Sequence, residues 1–258
     1  MKLKDKVVAI TGGGNGIGLA IARRFCEEGA KAALLDINFA AAKTAAKQLC
    51  DEGWKVLAVA CDVTSKQAMD ESVKEVIKTY GQIDIWVNSA GVSKLQPFLD
   101  VSEETWDRVI GINLKGSFFG CQAAIREMLP RKSGVIINLS SESGKNGNSQ
   151  FEAYCASKFG IIGLTQALAR EFGRVGIRVN ALCPGPVFTT LWDGQLTDYA
   201  KKKGIEPEAV RNHFANTIPL GRVAETIDIA NAALFLASDE AAFITGEALN
   251  VSGGSTMH

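Results

Sequence analysis

Short apolar runs alternate along the chain with longer stretches in which apolar residues recur every three or four positions. The short runs at 6–10, 32–36, 56–63, 83–88, 135–140, 177–183 and 248–251 read as strands. Several are almost unbroken in Val, Ile, Leu and Ala, the pattern of strands covered on both faces. The stretches at 16–28, 39–52, 65–80, 102–129, 152–172 and 225–237 carry helical spacing. Gly29, Gly53, Gly81 and Gly173 follow four of them, where a left-handed residue closes a helix. This alternation predicts an α/β fold: a single domain over 1–258 with a doubly wound parallel sheet of about seven strands and helices on both faces. No Pro/Ser-rich linker or shift in composition divides the chain. Segment 185–223 breaks the rhythm and is too long for an ordinary connection, so it is expected to be a substrate lid.

The turn after the first strand carries the first chemistry. Thr11-Gly12-Gly13-Gly14-Asn15-Gly16-Ile17-Gly18 ends a strand and opens a helix. Glycines there let the backbone approach a pyrophosphate, and the helix start offers free N–H groups and partial positive charge. The spacing is T-G-x-x-x-G-x-G rather than G-x-G-x-x-G, but its placement is that of a Rossmann-type dinucleotide site. Asp36 ends the second strand eighteen residues after Gly18. An acid there accepts hydrogen bonds from ribose hydroxyls and repels a 2′-phosphate. No Arg or Lys occupies 37–42, so the expected cofactor is NAD rather than NADP. The plainer alternatives are a solvated strand-end aspartate or an N-cap for the helix near Phe39.

Tyr154 and Lys158 lie four residues apart in Tyr154-Cys155-Ala156-Ser157-Lys158, on one face of a predicted helix. A fixed cation beside a phenol favours the phenolate. A shift of roughly 2–3 units, about 3–4 kcal/mol, would bring the phenol within reach of neutral pH. Such a tyrosine could exchange a proton with an alcohol; the bland alternative is a solvated helix face.

Composition narrows the classes. Twenty-eight basic and twenty-eight acidic residues cancel, so there is no electrostatic footprint for nucleic acid or an anionic membrane. No apolar run approaches a membrane span, and the N-terminal run is too short for a signal core. The six cysteines show no C-x-x-C spacing and read as reduced thiols of a cytoplasmic protein. With only His213 and His258 present, no metal is expected.

Taken together, these motifs resemble the short-chain dehydrogenase/reductase family, from Lys6 to Gly254. The resemblance implies dinucleotide contacts at Gly12, Gly14, Asn15, Gly16, Ile17 and Gly18, and an adenine contact at Asp62-Val63. Asn88-Ser89-Ala90-Gly91 is similar to the family's N-N-A-G motif, with Ser89 where a second Asn is common. Pro184-Gly185-Pro186-Val187-Phe188-Thr189 resembles its P-G-x-x-x-T nicotinamide contact, which implies roles for Pro184, Gly185, Val187 and Thr189. The implied catalytic set is Asn113, Ser141, Tyr154 and Lys158. Tyr154 exchanges the proton and Ser141 places the substrate oxygen. Lys158 tunes the tyrosine and holds the nicotinamide ribose, and Asn113 keeps a water through its backbone. Read as residues alone, Ser141 could cap a turn and Asn113 could be a satisfied buried amide.

For the substrate, Ser143, Gln150 and Phe151 neighbour the catalytic serine and tyrosine, and Pro186 and Trp192 face the same side. Within the family, Ser141-Glu142-Ser143-Gly144-Lys145 and 198–205 look like the sugar-alcohol and sugar-phosphate dehydrogenases. Arg211 and Lys201–Lys203 could recognise an anionic group, or be a solvated face. The expected reaction is NAD-dependent interconversion of a secondary alcohol of a small polyol and its ketone. The alternatives are a carbonyl reductase for diketones, diols or 3-oxoacyl thioesters, and a non-catalytic NAD-binding protein. Resemblance implies a homotetramer; Val109, Ile112, Phe118, Ile161 and Leu164 are expected to extend a packing face.

Overall fold

In a computed structural model describing residues 1–258, seven strands form one parallel sheet in the order β3-β2-β1-β4-β5-β6-β7. The strands are β1 (Val7–Thr11), β2 (Lys31–Asp36), β3 (Val56–Ala60), β4 (Ile85–Asn88), β5 (Gly134–Leu139), β6 (Ile177–Pro184) and β7 (Ala248–Val251). The helices over the sheet are α1 (Gly16–Glu27), α2 (Phe39–Asp51), α3 (Lys66–Tyr80), α4 (Glu103–Ile110), α5 (Gly116–Met128) and α6 (Glu152–Phe172). After β6 come α7 (Thr190–Asp193), α8 (Leu196–Lys203) and α9 (Val210–Thr217), then α10 (Thr226–Ala237).

The sheet is buried on both faces. Ile10, Leu34, Val87 and Ile137 point to one layer, with Ile21 and Phe25 of α1 and Ile229 and Leu234 of α10. Ala9, Leu35, Trp86 and Ile136 point to the other, with Met69 of α3 and Cys121 and Met128 of α5. That two-sided burial is why the strands read as continuous apolar runs.

Chain direction across the sheet reverses beside β1, whose neighbours are β2 and β4. Thr11 pairs with Leu35 and Asn88, and Asn88 with Asn138, so these strands finish at one edge. The loops leaving them diverge there and open a crevice.

The structure revises several boundaries. β3 stops at Ala60, where its partner β2 ends at Asp36, and residues 61–63 leave the sheet. β4 begins at Ile85, just after Asp84, whose carboxylate accepts the Val7 N–H at 2.8 Å. The helix expected over 102–129 is two α segments joined by a widened π turn, Gly111–Lys115. Gly29, Gly53 and Gly81 take positive φ, but Gly173 does not; Gly176, at φ 81°, closes that end. The segment expected as a lid is three short helices. Of the five residues expected at a packing face, Val109 and Ile161 are buried in the subunit core and only Phe118 is well exposed.

Candidate active site

The crevice is a cavity of about 760 Å³ that runs from the glycine turn to the short helices after β6. At one end Thr11 Oγ1 accepts the Ser89 and Ala90 N–H groups at 3.1 and 3.3 Å, which ties the turn to the loop after β4. Gly12 has φ 64°, and a Cβ there would sit 2.8 Å from Ala90 Cα. A Cβ on Gly18 would lie 2.3 Å from the Gly12 carbonyl oxygen, so only glycine lets α1 start this close to the turn. Asn15 makes no side-chain cap and the first turn of α1 holds no acid. The helix start therefore keeps open N–H donors and an uncompensated positive end, which suits a pyrophosphate.

Asp36 lines the same end. Its Oδ2 accepts the Gly14 N–H at 3.0 Å and its Oδ1 the Asn38 N–H at 2.9 Å. Asn38, not Asp36, caps α2 by accepting the Ala41 N–H at 3.1 Å. Gly14 is thus occupied in shaping the turn and does not face the cavity. Gly12, Asn15, Gly16, Ile17, Gly18, Asp62, Val63, Ala90, Gly91, Pro184, Gly185, Val187 and Thr189 all line it.

Asn88 does not. Its amide nitrogen donates to Asn138 Oδ1 at 2.8 Å and its oxygen accepts the Trp86 indole N–H at 2.7 Å. Asn138 in turn donates to Thr165 Oγ1 at 2.9 Å. This buried network locks β4 to β5 and α6 beneath the site, so Asn88 supports the site from below rather than contacting a ligand in the cavity.

At the chemical end, Tyr154 and Lys158 of α6 and Ser141 after β5 share the cavity wall. Ser141 Oγ accepts the Ser143 N–H at 3.1 Å, which leaves its own hydrogen for another oxygen. Burial pushes the Tyr154 phenol up to about 12, against a lowering by Ser141. The Lys158 ammonium is turned to donate to the Leu139 carbonyl at 2.7 Å and lies 5.5 Å from the tyrosine ring centre. Burial lowers Lys158 itself to about 8.

Asn113 is fully buried in the π turn. Its side chain donates to Val92 O and Ser157 Oγ at 2.9 and 3.0 Å and accepts the Val92 N–H at 2.8 Å. Its carbonyl already accepts Ser117 Oγ at 2.6 Å. The satisfied-amide alternative therefore holds for the side chain, which staples the loop after β4 to α6. Inserted turns of this kind recur at functional sites.

On the substrate side, Ser143, Phe151, Pro186 and Trp192 line the cavity, whereas Gln150 and Arg211 do not. Gln150 takes a left-handed backbone, φ 65°, and its N–H donates to Glu152 Oε1 at 2.8 Å. Arg211 sits 5.8 Å from the centre of the Phe188 ring. The segment after β6 packs as an aromatic cluster: Trp192 stacks on Phe188 at 5.0 Å and Phe214 on Tyr199 at 4.9 Å. Glu142, Asn148, Gln195 and Tyr199 also line the cavity, and sequence reasoning named none of them as ligand contacts. Glu142 alone had a signal, its place directly after Ser141.

A dinucleotide cradle continuous with a Ser/Tyr/Lys group defines a nicotinamide-dependent oxidoreductase on one doubly wound sheet. The chain belongs to the short-chain dehydrogenase/reductase family. A family model described as enoyl-(acyl carrier protein) reductase matches residues 12–256. The D-threitol dehydrogenase of Mycolicibacterium smegmatis is 40% identical over 99% of this chain and 95% of its own length. The galactitol 2-dehydrogenase of Agrobacterium fabrum is 40% identical over 100% of both chains. The structure of an NAD+-bound xylitol dehydrogenase superposes with TM-score 0.94 at 34% identity, over 98% of this chain and 100% of the other.

Proposed function

We propose that this alcohol dehydrogenase is NAD-dependent and interconverts a secondary alcohol of a small polyol with its ketone. The observation that carries the reading is one continuous cavity wall on which Asp36, the start of α1, Ser141, Tyr154 and Lys158 all appear. Asp36 supports NAD: it faces the adenosine end with Ile37, exposed at 74%, as its neighbour and no cation before Lys43. Lys43 itself is turned over the Phe39 ring at 5.0 Å.

A bound nicotinamide would take the hydride from the carbinol carbon or return it to the ketone. The chain's own groups handle the oxygen and its proton. Ser141 donates to the substrate oxygen. Tyr154, whose phenol burial raises, gives its proton to an oxygen that is becoming an alkoxide and takes it back in the reverse direction. In oxidation the phenol must first lose that proton, and Lys158, lowered by burial to about 8, could take it only in its neutral form, which is populated above that pH. Lys158 and Asn113 also bound Gly91, where a Cβ would stand 3.7 Å from Lys158 Nζ and 3.4 Å from Asn113 Oδ1. The ammonium therefore lies beside the Gly91 loop, which lines the same cavity.

The polyol reading is supported by the polar lining at the substrate end, Ser143, Asn148 and Gln195, against the aromatic lid. It also agrees with the substrates named for the relatives above. We take the assembly to be a homotetramer, supported by exposed Trp106, Phe118 and Phe159 on α4, α5 and α6. The test is an initial-rate screen with NAD and NADP over polyols, phosphopolyols, diols and 3-oxoacyl thioesters in both directions. Turnover of a polyol with NAD as the better cofactor is expected. Preference for NADPH and an oxoacyl thioester would replace this reading with that of a carbonyl reductase.

A further inference from the structure

Glu142 directly follows the substrate-placing Ser141 and lines the cavity. Its carboxyl is anchored on one oxygen only. Oε2 accepts Ser255 Oγ at 2.5 Å and Thr256 Oγ1 at 3.5 Å, while Oε1 receives no hydrogen bond from the chain. The anchor is itself held. Thr256 Oγ1 accepts the Asn146 amide at 2.9 Å, and the Thr256 N–H donates to Ser252 Oγ at 3.3 Å. The C-terminal tail therefore fixes this carboxyl beside the catalytic serine as a rigid group. Burial raises the Tyr154 and Tyr199 phenols, and the negative charge of Glu142 adds to both. Glu142 thus shares one cavity wall with Tyr154 and with Gln195 and Tyr199 of the segment after β6, where the rest of a substrate held at Ser141 and Tyr154 must lie.

We propose that Glu142 is the specificity-determining residue of the substrate pocket: Oε1 accepts a hydrogen bond from a second hydroxyl of a neutral polyol held at Ser141. The inference rests on the polyol reading above and deepens it, because it sets neutral polyhydroxy substrates against anionic ones. A carboxylate that repels a phosphate or sulfonate outweighs the lysines at the mouth. Lys202 is already donating to the Ser149 carbonyl at 2.6 Å and lies 5.6 Å from the centre of the Phe151 ring. Arg211 stands outside the cavity wall. Burial raises the Glu142 carboxyl above its usual range, which fits an acceptor sheltered from water.

The test compares kcat/KM for a neutral polyol with that for the monohydric secondary alcohol of the same chain length. Glu142→Gln keeps the shape and removes the charge. The polyol-to-monohydric ratio should fall about 10- to 100-fold, the worth of a hydrogen bond to a charged acceptor. Ser255→Ala loosens the tail but keeps the carboxylate, and should preserve that ratio to within about threefold. An equal loss on both substrates in Glu142→Gln, or an unchanged ratio, would overturn the proposal, the former showing a purely structural role. Should Glu142→Gln fail to fold, wild type alone decides: it should prefer the neutral polyol to its terminal phosphate by about tenfold or more, and the reverse preference overturns the proposal. If wild type does not distinguish polyols from monohydric alcohols at all, the polyol reading itself fails and the inference with it.

Discussion

Replacing Lys158 with Met should abolish activity while leaving the fold as stable as before, or more so. The ammonium is buried at 5% exposure, and its pKa falls from 10.5 to about 8. Keeping it charged in the folded chain at neutral pH therefore costs about 3 kcal/mol. Methionine removes that cost but leaves the Leu139 carbonyl without its donor at 2.7 Å, a loss of about 1–3 kcal/mol. The balance runs from neutral to about 2 kcal/mol in favour of the variant. The pH dependence is the sharper test. Between pH 8 and 10.5 the unfolded chain still holds a proton that folded Lys158 has released, so the lysine's penalty shrinks as pH rises. From pH 7 to about 9.5, wild type should gain about 2 kcal/mol on Lys158→Met. Cys26, Cys121 and Tyr154, all raised to about 12, titrate in the opposite sense and destabilise the fold at high pH. They are common to both proteins and cancel in the difference. Urea unfolding of the pair at both pH values, at one protein concentration, measures it. A stability difference independent of pH, or a variant weaker by several kcal/mol at pH 7, would refute a desolvated ammonium at this position.

The cofactor and oxygen-placing roles can be tested in the same way. Asp36→Ala combined with Ile37→Arg should move preference from NAD towards NADP by about tenfold or more, since a ribose acceptor is lost and a phosphate partner gained; the ratio of kcat/KM values for the two cofactors reads it. Ser141→Ala should lower kcat about 10²- to 10³-fold, the usual effect of removing one donor to a developing oxyanion, with NAD affinity by fluorescence titration unchanged.

Much of the fold was legible because its strands are buried twice and its helices once, and each leaves its own period in the sequence. The boundaries failed where partners rather than periodicity decide. Cys61–Val63 continues the apolar run of β3 but has no neighbouring strand once β2 ends at Asp36. The π turn at Gly111–Lys115 inserts its extra residue without interrupting the helical pattern, so nothing in the spacing announces it. At the site, residue types at fixed separations were readable because backbone geometry sets them: Ser141, Tyr154 and Lys158 meet as expected. Side-chain direction was not readable. Arg211 promised a cation for the pocket and points elsewhere, and Asn88 turns its amide inward to Asn138 and Trp86. Glu142 is the converse, a position whose meaning depends on Ser255 and Thr256 more than a hundred residues away. Proximity of Tyr154 and Lys158 was readable, but the burial that raises the phenol and lowers the ammonium was not.

The account turns on Tyr154 moving the proton of a polyol's alcohol. NADH formation from NAD and neutral polyols by wild type and Tyr154→Phe, with NAD affinity measured separately, tests it most directly. The variant should lose about 10²- to 10⁴-fold in kcat and bind NAD as wild type does. Retention of more than about a tenth of wild-type turnover would contradict it.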